Sequence, residues 1–290
     1  MIGQQLVNGL MLGSIYVLVA VSLTLSIGIL NFLNFSIPAL FMLGGVVTWL
    51  LIEAGFAWPV AVIAALLMVC VASLVVERFT YRWMKNSDPE VPLVSSLGFL
   101  ILFENLMVVM AGSDQQAFPQ IIPDFNLRIG GMLFGGAQLI SLALAFVLVA
   151  LISYILAKTQ YGRRVRAIAE NTDTASILGV DVGRIVPMIF ISSGLLSAVA
   201  GILFAFNYLQ VSPFMGEEIG IKGIAAMVIG GMGSVWGGIV GGLLIGLVEV
   251  LSIYFIGADF VDIVVYSLVL VLLILRPQGL MGRPVNREKL

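Results

Sequence analysis

Histidine is absent from the 290 residues, cysteine occurs once, and only 10% of positions carry charge. The first absence excludes histidine proton relays, histidine-ligated metals and histidine general-base catalysis. The single Cys70 excludes an intrachain disulfide. The scarcity of charge excludes an ordinary soluble domain, in which about 25% of residues are charged. With 60% hydrophobic residues, this is the composition of an integral membrane protein. No basic segment precedes the first apolar run, which is too long and too glycine-punctuated for a signal peptide, so it is read as a retained span. The net charge of -2 gives no reason to expect a nucleic-acid partner. No metal or cofactor is expected.

What is present is a series of long apolar runs. A helix needs about 20 such residues to cross the hydrocarbon. Runs near that length fall at 6–30, 32–52, 58–76, 93–111, 138–157 and 186–207, followed by a glycine-rich stretch at 219–256 and a last run at 260–275. The glycine-rich stretch has room for two short crossings, with GGMGS (230–234) as the turn between them. The expected fold is all-α, a polytopic transmembrane helical bundle forming a single domain over residues 1–290. It has eight or nine spans, nine being preferred.

Orientation is read from lysine and arginine. Arg78, Arg82 and Lys85 lie in one segment, Lys158, Arg163, Arg164, Arg166 and Arg184 in a second, and Arg276, Arg283, Arg287 and Lys289 in a third, which accounts for twelve of the fourteen basic residues. All three segments are expected to be cytoplasmic. Alternation then places the N-terminus outside, and nine crossings bring the C-terminus into the cytoplasm. The loop 112–137, with Arg128 as its single basic residue, becomes extracytoplasmic and is read as a surface structure on the membrane face.

Small residues recur at helical spacing: Gly9 and Gly13; Ser193, Ser197 and Gly201; Gly238, Gly242 and Gly246. Such ladders allow close helix approach, which matters because water does not drive helices together within lipid. They serve either fixed packing or an interface that slides during transport. Glu104 and Glu249 fall inside spans, where a carboxylate must face protein or water. Glu249 lies near the glycine face and reads equally as a hydrogen-bonded packing residue or as part of a polar path, whereas Glu104 is read as bonded to a neighbouring helix. Asp259 and Asp262 sit at a span end, within reach of solvent. Polar residues also gather at Asn8, Ser14, Ser22, Thr24, Ser26, Asn31 and Asn34. Candidate translocation-pathway residues are Asn34, Ser36, Ser95, Ser96, Asn207 and Glu249.

The most charged internal segment is the loop 158–185, which includes GRRVRAIAENTDTASILGV (162–180). Val165, Ile168, Ala169, Thr172, Ala175 and Ser176 follow a 3.6-residue period. Thr172 suits a helix N-cap with Asp173 in the first turn, and Gly179 suits a left-handed stop completed by Val180. The reading is a short, well-delimited cytoplasmic helix whose small apolar face is exposed for another protein to grip. Orientation bias alone accounts for part of the arginine content, but not for the caps.

AENTDTASILGVDVGRI (169–185) resembles the cytoplasmic loop of permease subunits in bacterial ABC importers, with Glu170, Ala175 and Gly179 at the matching positions. IGGMGSVWGGIVGGLLIG (229–246), RPQGLMGR (276–283) and NGLMLGSIYVLVAVSLTL (8–25) resemble segments of the branched-chain amino acid permease family, in the same order along the chain, and most closely the smaller of its two permeases. Two departures stand at NFSIP (34–38), where the family usually has Asn-Phe-Ala-His-Gly, and at GSVWG (233–237), where Trp236 replaces a proline.

The resemblance implies a non-enzymatic permease of the bacterial inner membrane. It would work with two ABC ATPase subunits, a second homologous permease, a periplasmic solute-binding protein and the surrounding membrane lipid. Arg163, Arg166, Glu170, Thr172, Asp173, Ala175 and Gly179 would couple it to the ATPases. The chain has no Gly-x4-Gly-Lys-Ser/Thr loop of its own to cradle phosphates. Branched-chain or other hydrophobic amino acids are the implied cargo, with urea, amides or aromatic acids as the alternative. An ion-driven secondary transporter would want intramembrane carboxylates paired with basic residues, of which few are expected here. A lipid-acting enzyme would want clustered nucleophiles and acids, and those are sparser still.

Overall fold

The computed structural model describes residues 2–30, 32–84, 88, 90–122, 126–129 and 132–282. Asn31, Lys85, Arg283, Arg287 and Lys289, named above, lie outside the described residues. Backbone groups within lipid have no water to bond, so apolar runs must satisfy them internally as helices. The long helices are α1 (Ile2–Leu30), α2 (Ser36–Glu53), α3 (Trp58–Val76), α4 (Glu90–Ala111), α5 (Gly136–Lys158), α8 (Val182–Tyr208), α10 (Val235–Phe255) and α11 (Val261–Leu275). Helix α3 runs on through a π-helical turn at Glu77–Arg82. Shorter helices are α6 (Gln160–Glu170), α7 (Thr172–Ile177) and α9 (Met215–Gly230).

Among the described residues, eight helical segments are long and apolar enough to cross a membrane. The expected turn at 230–234 is present, but α9 before it has only 16 residues, about 24 Å against a hydrocarbon thickness near 30 Å. It starts part-way down the bundle: Met215 packs against Gly45, halfway along α2, and Gly216 lies on the Pro38 backbone. Thus α9 is not among the eight spans: it begins within the bundle and stops short of a full crossing, so eight rather than the preferred nine helices qualify among the described residues.

The segment feeding α9 is held at one end of the bundle by one tiny antiparallel ladder, and a second ladder closes within the loop 112–137. Strand β1 (Gln116–Ala117) pairs with β4 (Gln210–Val211), and β2 (Asn126–Ile129) pairs with β3 (Met132–Gly135). Trp49 Nε1 donates to the Ala117 carbonyl at 3.1 Å. The loop 112–137 is thereby tied to the start of α9. At the opposite end, the C-terminal tail folds back on α9: Leu280 N donates to Ile229 O and Met281 N to Gly230 O, at 2.8 and 2.9 Å. These bonds satisfy carbonyls that every helix C-terminus leaves without partners.

The centre of the bundle is the antiparallel seam of α1 and α10. A β-carbon placed on Gly246 would lie 2.3 Å from Gly13 N, and one on Gly242 would lie 2.5 Å from Val17 N. Gly9 and Gly13 meet the backbones of Leu247 and Leu243, and Gly238 faces Val21. A second contact joins α2 to α8, where Ser197 Oγ donates to Ile37 O at 2.8 Å and a β-carbon on Gly201 would collide with Phe41 O. Contact at backbone distance leaves the neighbour no room to relax.

Overpacking a core typically costs about 1–3 kcal/mol. Gly242→Ala and Gly246→Ala should therefore each lower the thermal unfolding midpoint of the detergent-solubilised protein. Gly98→Ala, whose new methyl would meet open space, should not lower it, and equal midpoints for all three would refute backbone-distance contact along the seam.

Candidate functional site

The turn between α9 and α10 fixes their register: Gly230 meets Gly237 and Ala226 meets Gly241. Continued along both helices, this register sets Lys222 opposite Ile245. A Cβ points back toward its own helix N-terminus, so the Glu249 side chain leans from one turn further on toward that level. Lys222 Nζ meets Glu249 Oε1 at 2.8 Å, and the Tyr16 hydroxyl of α1 donates to Glu249 Oε2 at 2.7 Å. Two further carboxylates surround the ammonium, Glu218 at 3.5 Å and Asp262 of α11 at 3.7 Å. Lys222 and Glu249 are buried, whereas the Glu218 and Asp262 side chains are 71% and 66% exposed.

Carboxylate–base pairs within the spans are few among the described residues, and this network supplies one: Glu249 is held by Lys222. Asp262 is not merely solvated at a span end but belongs to the same charge cluster. Lys222 escapes sequence reasoning, yet a signal exists: it and Glu249 are the two charged residues in the glycine-rich stretch 219–256, and they have opposite signs. Glu104 departs from expectation in the other direction. It is buried, and its Oε1 has no hydrogen-bond partner among the described residues.

The remaining pathway candidates do not form one site. Asn34 Oδ1 accepts from the backbone N and Oγ of Ser36, at 3.0 and 2.7 Å, and so initiates α2. Ser96 Oγ accepts from Phe35 N at 3.0 Å, which fastens α4 to the same corner. Ser95 is half-buried on α4. Asn207 lies at the far end of α8, where Nδ2 donates to Ser141 Oγ and Leu203 O. There it lines a polar recess of about 330 Å³ together with Gln4, Asn8 and Gln138.

The segment 158–185 forms a stiff elbow, two helices meeting at a single residue. Thr159 Oγ1 caps α6 by accepting from Gly162 N at 3.2 Å. Gly162 lies against the carbonyls of Ile155 and Leu156, where a β-carbon would collide, and Arg166 Nη1 donates to Leu156 O. The arginine thus completes the end of α5. Asn171, not Thr172, caps α7, its Oδ1 accepting from Thr174 N at 2.8 Å. Asp173 falls in the first turn as expected, and Gly179 takes φ +85° as the left-handed stop.

The expected exposed small face is turned the other way. Val165, Ile168 and Ala175 are buried against the bundle, because this is the only apolar stripe the elbow has for packing. What α7 and its stop present outward is Ile177 and Leu178, 86% and 75% exposed. Arg163 and Glu170 on α6 and Asp173 and Thr174 on α7 are also exposed.

A family model described as the permease component of the branched-chain amino acid transport system matches residues 5–275. The chain belongs to that family. It is 31% identical to the high-affinity branched-chain amino acid transport system permease protein LivH of Salmonella typhimurium, over 97% of this chain and 96% of that one. Its identity to BraD of Pseudomonas aeruginosa, which bears the same description, is 29% with the same coverage. The autoinducer 2 import system permease LsrC of Escherichia coli is 30% identical over 81% of this chain and 65% of its own. A solved structure titled PsaBC from Streptococcus pneumoniae in complex with Fab shares the fold at TM-score 0.50 and 12% identity, covering 95% of this chain and 92% of that one.

Removing one partner of a buried ion pair costs about 3–5 kcal/mol, whereas replacing the whole set with apolar groups is often neutral. Lys222→Met and Glu249→Leu should each destabilise the protein strongly. The triple variant Tyr16→Phe/Lys222→Met/Glu249→Leu should recover most of the loss in a thermal melt. Single variants as stable as the parent would show that the network does not tie α1, α9 and α10 together.

Proposed function

We propose that the chain is the permease subunit of an ABC importer in the bacterial inner membrane. It translocates branched-chain or other hydrophobic amino acids inward, driven by ATP hydrolysed on two partner ATPase subunits. A second homologous permease stands beside it, and a periplasmic binding protein delivers the solute. Family membership over residues 5–275 supports the class. The observation that carries the mechanism is the elbow, which joins a bulky exposed pair, Ile177 and Leu178, to a rigid attachment on α5.

In this reading the elbow end is cytoplasmic, as its arginines require, and the strand end faces outward. Movement of the ATPases pulls on α7. Burial of Val165, Ile168 and Ala175 passes the motion to α6 and α8, and Gly162 and Arg166 pass it to α5. A shift of a few kcal/mol between outward-open and inward-open states is sufficient. Arg163, Glu170, Asp173 and Gly179 surround the docking pair, while Arg166, Thr172 and Ala175 hold it in place.

In this reading the path runs along α9 and α11. Glu217, Glu218 and Asp262 are exposed there, and a carboxylate at membrane depth must face water or protein rather than lipid. The exposed Phe214, Ile221 and Ile263 on the same elements suit contact with the second permease. The likeness to an autoinducer 2 permease supports a second reading of the cargo as a polar non-amino-acid solute. An ion-driven mode would draw on the Lys222–Glu249 pair.

With the partner subunits co-reconstituted in proteoliposomes, Ile177→Asp/Leu178→Asp should cut ATP-dependent leucine uptake at least about tenfold, since buried contacts of this size contribute 1.5–3 kcal/mol each. Membrane insertion should be unchanged, because both side chains project from the bundle. Unimpaired uptake and ATPase binding would overturn the docking assignment, and uptake driven by an ion gradient without ATP would overturn the importer class.

A further inference from the structure

The elbow encloses a second feature that coupling does not use. Between α1, α5, α6 and α8 lies an apolar cavity of about 350 Å³, lined among others by Leu25, Ile29, Ile155, Tyr161, Met188 and Ile191. Its walls are side chains of three spans and of α6, and its lining residue Met188 is half exposed. Tyr161 and Ser192 are its polar lining residues. Burial raises the Tyr161 phenol above its ordinary value and outweighs the opposing effect of Ser192, so it stays neutral and adds no negative charge.

Two cations stand next to lining residues along the chain. Lys158 ends α5 one turn beyond Ile155, and Arg164 lies on α6 next to Val165 and one turn beyond Tyr161; all three apolar or aromatic neighbours line the cavity. Both cations are exposed, and neither has an ion-pair partner among the described residues. Arg184, one turn before Met188 on α8, is already held by Asp181 at 2.9 Å. Two unpaired cations next to the residues that line an apolar slot at a membrane surface match one chemistry: an acyl chain within and an anionic headgroup on the cations. A zwitterionic lipid would fill the slot but leave the cations unanswered. A free anion would answer the cations but leave the slot empty.

We propose that this cavity binds an anionic glycerophospholipid from the adjoining leaflet, with an acyl chain between α1, α5 and α8 and its phosphate on Lys158 and Arg164. The occupant wedges against the joint where α5 meets the elbow's α6, so its binding ties lipid composition to the stiffness of that joint. The assignment needs only that the chain spans a membrane, and it stands or falls separately from ATPase docking on Ile177 and Leu178.

Native mass spectrometry of the full chain released from nanodiscs, doped with phosphatidylglycerol or phosphatidylcholine, tests it. One phosphatidylglycerol should be retained roughly tenfold more often than phosphatidylcholine. Lys158→Gln/Arg164→Gln, both at exposed positions, should bring phosphatidylglycerol down to the phosphatidylcholine level. Ile191→Trp, which fills the slot, should reduce both lipids. Equal retention of the two lipids by the parent chain, or a phosphatidylglycerol preference that survives the charge variant, would overturn the proposal.

Discussion

The contact of α1 with α10 at backbone distance is the constraint on which the rest of the structure depends. Within lipid no hydrophobic force separates helix–helix from helix–lipid contact, so dispersion at close approach has to decide which helices meet. Gly9, Gly13, Gly242 and Gly246 allow that approach, and once it is made the neighbours have little freedom. Helix α9 is joined to α10 by a turn of four residues, and its own glycines press on Val19 and Pro38. The Lys222–Glu249–Tyr16 network follows from this geometry. Tyr16 and Glu249 stand on antiparallel helices, each leaning toward its own N-terminus, and so they converge on the level that Lys222 occupies.

The elbow obeys a different logic. Outside the hydrocarbon, an apolar stripe gains from burial in the ordinary way, and α6 carries one narrow stripe opposite its arginines. Packing that stripe inward, with Gly162 seated on the carbonyls that end α5, makes the elbow an extension of the bundle rather than a loose loop. A loose loop would absorb an applied displacement. A helix capped by Asn171, stopped by Gly179 and riveted through Ala175 transmits it. Charge in this segment therefore has two tasks, holding the segment on one side of the membrane and, through Arg166, closing the end of α5.

Much of this was legible in the sequence because the information was local. Apolar run length located the spans, GGMGS located a turn, and the left-handed requirement at Gly179 located a helix end. What could not be read depends on register between distant segments. The ion pair joins residues 27 apart, and no periodicity announces which face of α9 meets which turn of α10. The direction of the elbow's apolar face was misjudged for the same reason: a small-residue stripe looks alike whether it awaits a partner or packs on its own bundle. The N-cap moved from Thr172 to Asn171 because both side chains can accept a backbone hydrogen bond, and the adjacent end of α6 settles the choice. The ladder of β1 with β4 is two residues long on each side and bridges over ninety positions, beyond any local signal.

Lys222 carries one positive charge into a region that supplies Glu249, Glu218 and Asp262, so the network as a whole is anionic. Glu249 is neutralised within the bundle, and its two oxygens are both occupied. The surplus therefore resides on Glu218 and Asp262, which project from α9 and α11 together with Glu217. Hydrocarbon cannot cover such a face, since an unpaired carboxylate there costs several kcal/mol. An isolated bundle in lipid would have to hydrate it by thinning the bilayer or by tilting. The buried ion pair behind that face, with both oxygens of Glu249 occupied, is what keeps α9 seated against α1 and α10.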